Sequence, residues 1–255
     1  MVNHSVRYDT IGHAYAHTRR EDPLLRDLIA RALGDARTVV NVGAGAGSYE
    51  PTDRQVVAIE PSDTMAAQRP RSAAPAIRAS AGHLPLRDGA VDAAMTILSL
   101  HYWDEEQERG VRELRRVATG SVVILTYDAD VSNAMWLMKD YFPEVAELDA
   151  RIFPPPARIV EWLGGNATVS VVPITRDTSD WHLGSFWAHP ERVLDDGARA
   201  ATSGFARASH EVVSRVVAAV RRDLEDRAWE ARHGHLRSLS DYDGGLRLIV
   251  GHASD

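Results

Sequence analysis

Residues 39–50 read VVNVGAGAGSYE, an apolar run followed by three glycines at every second position, Gly43, Gly45 and Gly47. Glycine weakens the interior of both strands and helices, so this spacing does not suit the continuation of either element. The pattern predicts a first strand around residues 38–42 that turns sharply toward a helix. At such a turn the bare backbone lies at the edge of a sheet, where a ligand can approach it closely.

The sequence around this turn predicts a parallel α/β sheet. The stretch DPLLRDLIARALG predicts a helix with Asp22 as its cap, Pro23 at its first position and Gly34 at its end. Five short apolar runs follow, separated by stretches long and polar enough for crossover helices: TVVNVG, QVVAIE, PAIRA, VDAAMTIL and SVVILTY. Runs of this kind are typical of parallel strands that are buried on both faces.

The alternation of strands and helices stops after residue 128. The following segment contains a predicted strand, ATVSVVPI, and a helical stretch, HEVVSRVVAAVRRDLEDRAWEAR, before a last predicted strand at residues 244–250. Neither an internal repeat nor a shift in composition marks an independent domain. We therefore expect a single domain over residues 1–255, with a core at 38–128 and a cap that includes a sixth strand at 129–240.

Composition limits the possible partners. The chain has 255 residues, a net charge of -7 and a pI near 5.9, which gives no electrostatic footprint for DNA or RNA. Cysteine is absent, which excludes disulfides and thiolate metal sites. The first residues lack a signal-peptide pattern, and no apolar run reaches the roughly 20 residues that span a bilayer. We expect a cytoplasmic protein without nucleic-acid or membrane partners, and the oligomeric state is left open.

The glycine spacing discriminates between nucleotide cofactors. A dinucleotide fingerprint, Gly-x-Gly-x-x-Gly, would need glycine at the position of Ser48. The chain instead has Gly-x-Gly-x-Gly, and Glu60 ends the next predicted strand, 17 residues after Gly43. An ionised carboxylate only accepts hydrogen bonds, which suits the two ribose hydroxyls of an adenosine. A nicotinamide oxidoreductase is therefore a weaker alternative.

These blocks, in this order, resemble the class I S-adenosylmethionine-dependent methyltransferases, particularly the small-molecule branch related to the ubiquinone-type enzymes. The matching blocks, over about residues 38–128, are VVNVGAGAGSYEP, VVAIEPSDTM, LPLRDGAVDAAM, LSLHYWDE and RELRRVATGSVVILTYD, and YDTIGHAYAHTRR resembles the covering helix of the family. The resemblance implies a Rossmann-like, seven-stranded, mostly parallel sheet with helices on both faces. It also implies an N-terminal covering helix and a helical cap inserted after the fifth strand.

The resemblance implies S-adenosylmethionine as cofactor and a set of residues that bind it. The glycine turn passes beneath the methionine moiety, Glu60 holds the ribose, and the loop that begins at Ser80 lines the adenine edge. The implied cofactor-binding residues are Tyr15, Arg19, Gly43, Ala44, Gly45, Gly47, Glu60, Pro61, Met65, Ser80, Ala81, Leu98 and Ser99.

Three positions depart from the pattern of the family. Asn41 stands where an acid is usual, two residues before the first glycine. Ser80 stands where many relatives have Asp, and Gly82 stands where another acid is often found. Adenine recognition is therefore expected to be looser, or to rely more on backbone groups and His83.

Catalysis and acceptor binding are predicted from fewer signals. His101 follows the fourth strand and is the candidate general base, with a structural role in its loop as the alternative. Methyl transfer needs mainly in-line positioning, and it needs a base only for a poorly acidic hydroxyl or a protonated amine. Aromatic residues expected to line the acceptor pocket, unless they are simply core residues, are Trp103, Trp136, Tyr141 and Trp187. No metal site is expected from the histidines at 233 and 235.

The sequence therefore predicts a methyltransferase that transfers a methyl group to a small-molecule acceptor, by O- or N-methylation of a metabolite. Two alternatives remain open at this point. One is an S-adenosylmethionine-binding enzyme that catalyses a different reaction, such as cyclisation. The other is a binding protein without catalytic activity.

Overall fold

The computed structural model describes residues 20–253. The predicted covering helix, with Tyr15 and Arg19, lies outside the described residues. The described chain divides into two compact units, each assembled from separate segments. The sheet unit comprises residues 23–128, 152–171 and 247–253, and the helical unit comprises residues 20–22, 129–151 and 172–246.

Seven strands form the main sheet, and two short strands form a separate pair. The strands of the described residues are β1 Thr38–Val42, β2 Gln55–Ile59, β3 Ala76–Ile77, β4 Ala93–Ile97, β5 Val122–Tyr127, β6 Ala167–Val171, β7 Ile174–Thr175, β8 Asp241–Tyr242 and β9 Leu246–Gly251. The main sheet has the order β3-β2-β1-β4-β5-β9-β6. The five apolar runs and the last strand therefore form where the sequence predicts them.

The pairing of the strands decides where a ligand can bind. The pairs β1–β2, β1–β4, β2–β3 and β4–β5 are parallel, whereas β6 and β9 are antiparallel. The carboxyl ends of β1, β2, β3 and β4 consequently meet at one edge, with neighbouring strands about 4.8 Å apart. The loops that follow these four strands form the candidate site.

Helices and short helical turns connect the strands. The α-helices of the described residues are α1 Pro23–Leu33, α2 Asp63–Ala66, α3 Gln107–Val117, α4 Ala129–Ser132, α5 Pro143–Ile152, α6 Pro156–Trp162, α7 Asp196–Ala200, α8 Ser203–Arg207, α9 His210–Glu225 and α10 Ala228–His233. Shorter 3-10 or π turns lie at Leu100–Tyr102, Asp104–Glu106, Leu137–Tyr141, Leu183–Phe186, Pro190–Leu194 and Gly234–Ser238. Helix α1 has the bounds that its capping pattern predicts.

The core of the sheet unit explains why its strands read as continuous apolar runs. Val122 and Ile124 of β5 join a buried cluster with residues of α3 and α6. Val123 and Leu125 point to the opposite face, because successive side chains alternate, and they are equally buried. Helix α1 packs beside β5 and buries Leu25, Ile29 and Leu33. Both faces of the sheet are thus covered, as expected for parallel strands.

Three local expectations are wrong, each for a backbone reason. Residues 43–54, between β1 and β2, contain no helix, because four of them, the three glycines and Tyr49, have positive φ. The predicted strand ATVSVVPI divides into β6 and β7 at Pro173, which has no N–H to donate to a ladder. The long predicted helix breaks into α9 and α10 at Arg227, whose φ is +63°.

The helical unit is built mainly from short helices around aromatic side chains. Its longest helix, α9, is capped by Ser209, whose hydroxyl accepts a hydrogen bond from the Val212 amide. The second segment of this unit begins at residue 129, whereas α6 and β6, which lie within the range expected for the cap, belong to the sheet unit. The single-domain interpretation stays a prediction. No helix in residues 20–253 is both long enough and apolar enough to cross a bilayer.

Candidate functional site

The glycine turn is dictated by its own backbone and by one neighbouring side chain. Gly43, Gly45 and Gly47 have φ values of +71°, +51° and +96°, in the region that side chains disfavour. A Cβ at Gly43 would lie only 1.8 Å from Oγ of Ser99. A Cβ at Gly45 would meet only Cε of Met65, at 3.4 Å, so backbone conformation rather than space requires glycine there.

Glu60 lies directly against this turn. Its Oε2 accepts a hydrogen bond from the Gly45 amide at 2.7 Å, and its Oε1 accepts one from the Ser62 amide at 2.8 Å. Only 3% of the residue is exposed. Burial raises the pKa of the Glu60 carboxyl above its ordinary value of 4.5, although both amides and the charge of Arg69 act in the opposite direction. The carboxylate and the glycines therefore form one local structure.

A buried ion pair holds the other side of the turn. The Arg69 guanidinium donates to the carbonyls of Gly45 at 3.2 Å and Ala44 at 3.4 Å, and to Oε2 of Glu50 at 2.7 Å. The exposed fractions of the Arg69 and Glu50 side chains are 4% and 8%. Oε1 of Glu50 accepts a hydrogen bond from Nδ2 of Asn41 at 3.0 Å. The turn is therefore held through its carbonyls by Arg69 and through an amide by Glu60.

Sequence reasoning missed this ion pair. Glu50 lies three residues after Gly47 and Arg69 lies three residues after α2, with no periodic pattern to connect them. The sequence feature that could have indicated it is Asn41, which stands where the family has an acid. A buried asparagine side chain needs a polar partner, and Glu50 is that partner. The pair comes together only when β1 and β2 are aligned.

The loop after β4 contacts the same turn. Leu98 has a φ of +51°, which is uncommon for a non-glycine residue and costs on the order of 1–3 kcal/mol. Its amide donates to the Leu125 carbonyl at 2.9 Å, which fixes this conformation. Ser99 follows and is buried against Gly43. Backbone strain of this kind concentrates at functional sites, which agrees with the predicted role of Leu98 and Ser99.

The loop after β3 is closed by a turn in which the His83 amide donates to the Ser80 carbonyl at 3.2 Å. Ala81 is buried, and a Cβ at Gly110 of α3 would lie 3.1 Å from its methyl group. The same Cβ would lie 2.6 Å from the ring of Trp103. Trp103 therefore packs within the sheet unit, between α3 and the predicted cofactor loops.

His101 lies in the turn Leu100–Tyr102, which directly follows Ser99. The residue is 5% exposed, and its ring stacks on Phe153 with the two ring centres 4.4 Å apart. The ring of Tyr102 lies 4.0 Å away on an inclined plane. These contacts fix the orientation of the imidazole near the carboxyl end of β4.

The comparisons identify a methyltransferase domain within the chain. Residues 40–125 match the family model of a methyltransferase domain, a span that runs from β1 to β5 and includes the glycine turn, Glu60 and Ser99. Residues 40–125 form a methyltransferase domain of the class I S-adenosylmethionine-dependent kind. The predicted family, fold class and cofactor are confirmed, since the family binds S-adenosylmethionine.

Solved structures resemble this methyltransferase over most of its length. A protein of Anabaena variabilis, assigned as a methyltransferase of an antibiotic biosynthesis pathway, is 28% identical with a TM-score of 0.84, over 92% of this chain and 99% of that one. Phosphoethanolamine N-methyltransferase 2 of Haemonchus contortus, in complex with S-adenosylmethionine, is 13% identical with a TM-score of 0.62, over 100% of this chain and 61% of that one.

A third structure has the same fold and a different reaction. The [4+2]-cyclase SpnF is 15% identical with a TM-score of 0.55, over 98% of this chain and 95% of that one. A comparison with curated protein sequences finds no match. The fold of the methyltransferase therefore accommodates more than one chemistry.

The other predicted acceptor residues of the methyltransferase lie in the helical unit. Nε1 of Trp136 donates to the Trp187 carbonyl at 2.9 Å, and Trp187 stacks on Tyr242. The Tyr141 hydroxyl donates to Asp223 at 2.8 Å, and burial raises the pKa of Tyr141, with Asp223 adding to the effect. All three predicted residues are at least 95% buried. They pack inside this unit, and their role toward an acceptor stays a prediction.

One titratable group of the helical unit was missed by the sequence reasoning. Asp149 on α5 is half-buried, and burial raises the pKa of its carboxyl to about 7, although Arg207 opposes the shift. A carboxyl that titrates near neutrality can act as an acid or a base at physiological pH. Within residues 20–253, no three His, Asp or Glu side chains are grouped to hold a metal ion.

The replacement Gly43→Ala should destabilise the methyltransferase more than Gly34→Ala. Both glycines have positive φ, +71° and +57°, so each alanine costs about 1–2 kcal/mol in backbone strain. Only at Gly43 does the added Cβ also collide with Ser99, because a Cβ at Gly34 meets nothing within 4 Å. Urea unfolding measures the two losses, and equal losses would contradict the role of Ser99.

The replacement Arg69→Gln should lower the free energy of unfolding by about 3–5 kcal/mol, because Glu50 remains buried without its partner charge. The double variant Glu50→Gln/Arg69→Gln should lose less than Arg69→Gln alone, since it leaves no uncompensated charge. A matched control is Arg115→Gln, because Arg115 donates to the carbonyls of Ala118 and His252, away from the turn. Urea unfolding of this set together with the single variant Glu50→Gln tests the coupling, and a loss in the double variant equal to the sum of the two single losses would exclude it.

Proposed function

We propose that this methyltransferase transfers the methyl group of S-adenosylmethionine to a small-molecule acceptor, by O- or N-methylation. The observation that carries the proposal is the contact of the buried Glu60 carboxylate with the Gly45 amide. This contact places an acceptor-only group beside the half-buried turn backbone at the carboxyl edge of the sheet. The carboxylate suits the two hydroxyls of a ribose, and the turn backbone suits the polar methionine part of the same cofactor.

The strand order supports a direction for the cofactor along this edge. Glu60 ends β2, which lies between β3 and β1. With the ribose at Glu60, the loop after β3 would receive the adenine at Ser80 and Ala81, between Pro61 and Met65. The methionine part would then lie over Gly43, Ala44 and Gly45, with Leu98 and Ser99 offering backbone to its ammonium group. Tyr15 and Arg19 stay predictions, because they lie outside the described residues.

An unpartnered polar atom supports the fit of a cationic ligand. Oδ1 of Asn41 is buried and has no hydrogen-bond partner among the described residues. Nδ2 of the same amide donates to Glu50, so the acceptor end of the amide is fixed in the opposite direction. A buried acceptor without a partner costs about 1–3 kcal/mol, which a donor from a bound ligand or a water would relieve.

The chain supplies positioning and, for some acceptors, a base. When bound, S-adenosylmethionine supplies an electrophilic methyl group on a sulfonium that leaves as a neutral thioether. The protein must hold the acceptor atom in line with that group and exclude water. We assign His101 as the base that removes a proton from a hydroxyl or ammonium acceptor. His101 lies just after β4, and stacking on Phe153 fixes the orientation of its ring.

The acceptor class is supported by composition and by one relative. The net charge of -7 disfavours a polyanionic acceptor, and aromatic residues suit an apolar or aromatic metabolite. The Anabaena variabilis protein, with 28% identity, is assigned to antibiotic biosynthesis. We propose an acceptor of this moderately apolar kind and a cytoplasmic location, and the roles of Trp103, Trp136, Tyr141 and Trp187 toward the acceptor stay predictions.

Screening with methyl-labelled S-adenosylmethionine and fractionated cell extract tests the reaction class. The expected product is a small molecule that gains one methyl group. A product without added mass would instead support a cyclase, for which the likeness to SpnF shows only a common fold. Methyl incorporation confined to protein or RNA would overturn the proposed acceptor class.

Cofactor binding should depend on Glu60 and on pH. We expect S-adenosylhomocysteine to bind the wild type, and Glu60→Gln to weaken binding by about 1–3 kcal/mol, because charged hydrogen bonds to the ribose are lost. Burial raises the pKa of Glu60 above 4.5, so affinity should fall as pH is lowered through that raised value, and Glu60→Gln should lack this dependence. Titration calorimetry across pH measures both effects.

A matched control for Glu60→Gln is Asp92→Asn. Asp92 also accepts two backbone amides, those of Arg37 and Thr38 at 2.8 Å each, but at the amino end of β1. The Asp92→Asn variant should leave the affinity for S-adenosylhomocysteine unchanged. Absence of binding of both S-adenosylmethionine and S-adenosylhomocysteine to folded wild type would refute the proposed site.

The replacement His101→Ala should lower kcat by about 100-fold or more on a hydroxyl acceptor, with cofactor affinity nearly unchanged, because base catalysis contributes that much. The pH profile of kcat should lose its ascending limb, because the group that must be deprotonated to act as the base is gone. The exposed His235 provides the control variant His235→Ala. Wild-type turnover in His101→Ala would remove His101 from the mechanism, and a joint loss of melting temperature and affinity would indicate a structural role.

A further inference from the structure

Glu106 occupies a position where its carboxylate could cap a helix, yet it does not. It is the N-cap residue of α3, and its side chain makes no capping hydrogen bond. A short acceptor side chain at this position, such as Asp or Ser, commonly accepts the unpaired amides of the first helical turn. The side chain is turned instead toward the loop after β3, 26 residues earlier in the chain.

The carboxylate of Glu106 lies across that loop. Its Oε1 is 3.4 Å from Oγ of Ser80 and 3.8 Å from Nδ1 of His83. A Cβ at Gly82 would lie 2.8 Å from the same oxygen and 3.4 Å from Cδ of Arg109. Glu106 therefore fills the space that a side chain at position 82 would need, beside a serine that offers only a hydroxyl.

We propose that Glu106 recognises the exocyclic amine of the adenine of the cofactor, and that it supplies from α3 the carboxylate that Ser80 and Gly82 do not provide. The proposal rests on the proposed function, which places the adenine at the Ser80 loop. An amine donates hydrogen bonds and an ionised carboxylate only accepts them, so the two groups are complementary. The 3.4 Å contact with Ser80 is longer than a strong hydrogen bond to a carboxylate, which leaves this acceptor available to a better donor.

Glu106 would then determine specificity, because it discriminates between an amino group and a carbonyl at the same ring position. Adenine carries an amine there, whereas hypoxanthine carries a carbonyl oxygen. A carboxylate attracts the first and repels the second. A merely structural Glu106 would tie the loop to α3, and its loss would change stability without changing the choice between these bases.

Titration calorimetry with S-adenosylhomocysteine and its 6-oxo analogue, S-inosylhomocysteine, tests the proposal. The wild type should prefer the adenosyl ligand by at least about 100-fold, as sites built to accept an N–H bond do. Glu106→Gln should bind the adenosyl ligand about 10-fold less tightly, and its preference should fall below about 10-fold, because an amide can also donate to the 6-oxo group.

Two further variants separate specificity from structure. Glu105→Gln is the matched control, because Glu105 is exposed on the same 3-10 turn, and it should leave both affinities unchanged. Ser80→Asp in the Glu106→Gln background returns a carboxylate to the loop and should restore the preference for the adenosyl ligand.

An unchanged preference in Glu106→Gln, with wild-type affinity for S-adenosylhomocysteine, would overturn the assignment of Glu106 and leave the proposed function intact. A lowered melting temperature with an unchanged preference would overturn it equally, since it indicates a structural role. Failure of the wild type to bind either ligand would overturn the proposed cofactor site itself, and with it this assignment.

Discussion

The contact of the Glu60 carboxylate with the Gly45 amide is the interaction on which the site depends. It joins the end of β2 to the turn after β1, and it requires Gly45 to keep a positive φ. Arg69 holds the carbonyl side of the same turn, so the peptide units are constrained from both sides. A turn fixed in this way offers its backbone to a ligand without reorganising when the ligand binds, which is the physical content of preorganisation.

The buried charges around this turn do not cancel. Glu60 and Glu50 contribute two negative charges against the single positive charge of Arg69, and burial disfavours the ionised form of Glu60. A ligand with a net positive charge would lower the electrostatic cost of this arrangement, because a nearby cation favours an ionised carboxylate. S-adenosylmethionine carries a sulfonium and an ammonium against one carboxylate. Under the proposed function, the charge of the site and the charge of its cofactor are therefore complementary.

The features that the sequence predicts well are local ones. Glycine spacing and apolar runs depend on neighbours along the chain, so β1, β2 and Glu60 could be placed without knowledge of the packing. The contacts between Ser99 and Gly43 and between Arg69 and Glu50 arise from strand order, which joins distant segments. The expected helix after β1 failed because positive φ at four residues prevents it. The buried tryptophans of the helical unit could not be told from pocket residues by composition alone.

The fold specifies a place for the cofactor more tightly than it specifies a reaction. The residues that the site brings together belong to loops after β1, β2, β3 and β4, and their geometry suits any chemistry that uses this cofactor pocket. Likeness to both a methyltransferase and a [4+2]-cyclase agrees with that separation. Methyl transfer additionally needs an acceptor atom aligned with the methyl group, which depends on residues outside the glycine turn. His101 follows directly on Ser99, so the same loop that contacts the turn also carries the candidate base. A change of reaction within this fold would therefore act first on the segment after Ser99, while Glu60 and the glycines could remain as they are.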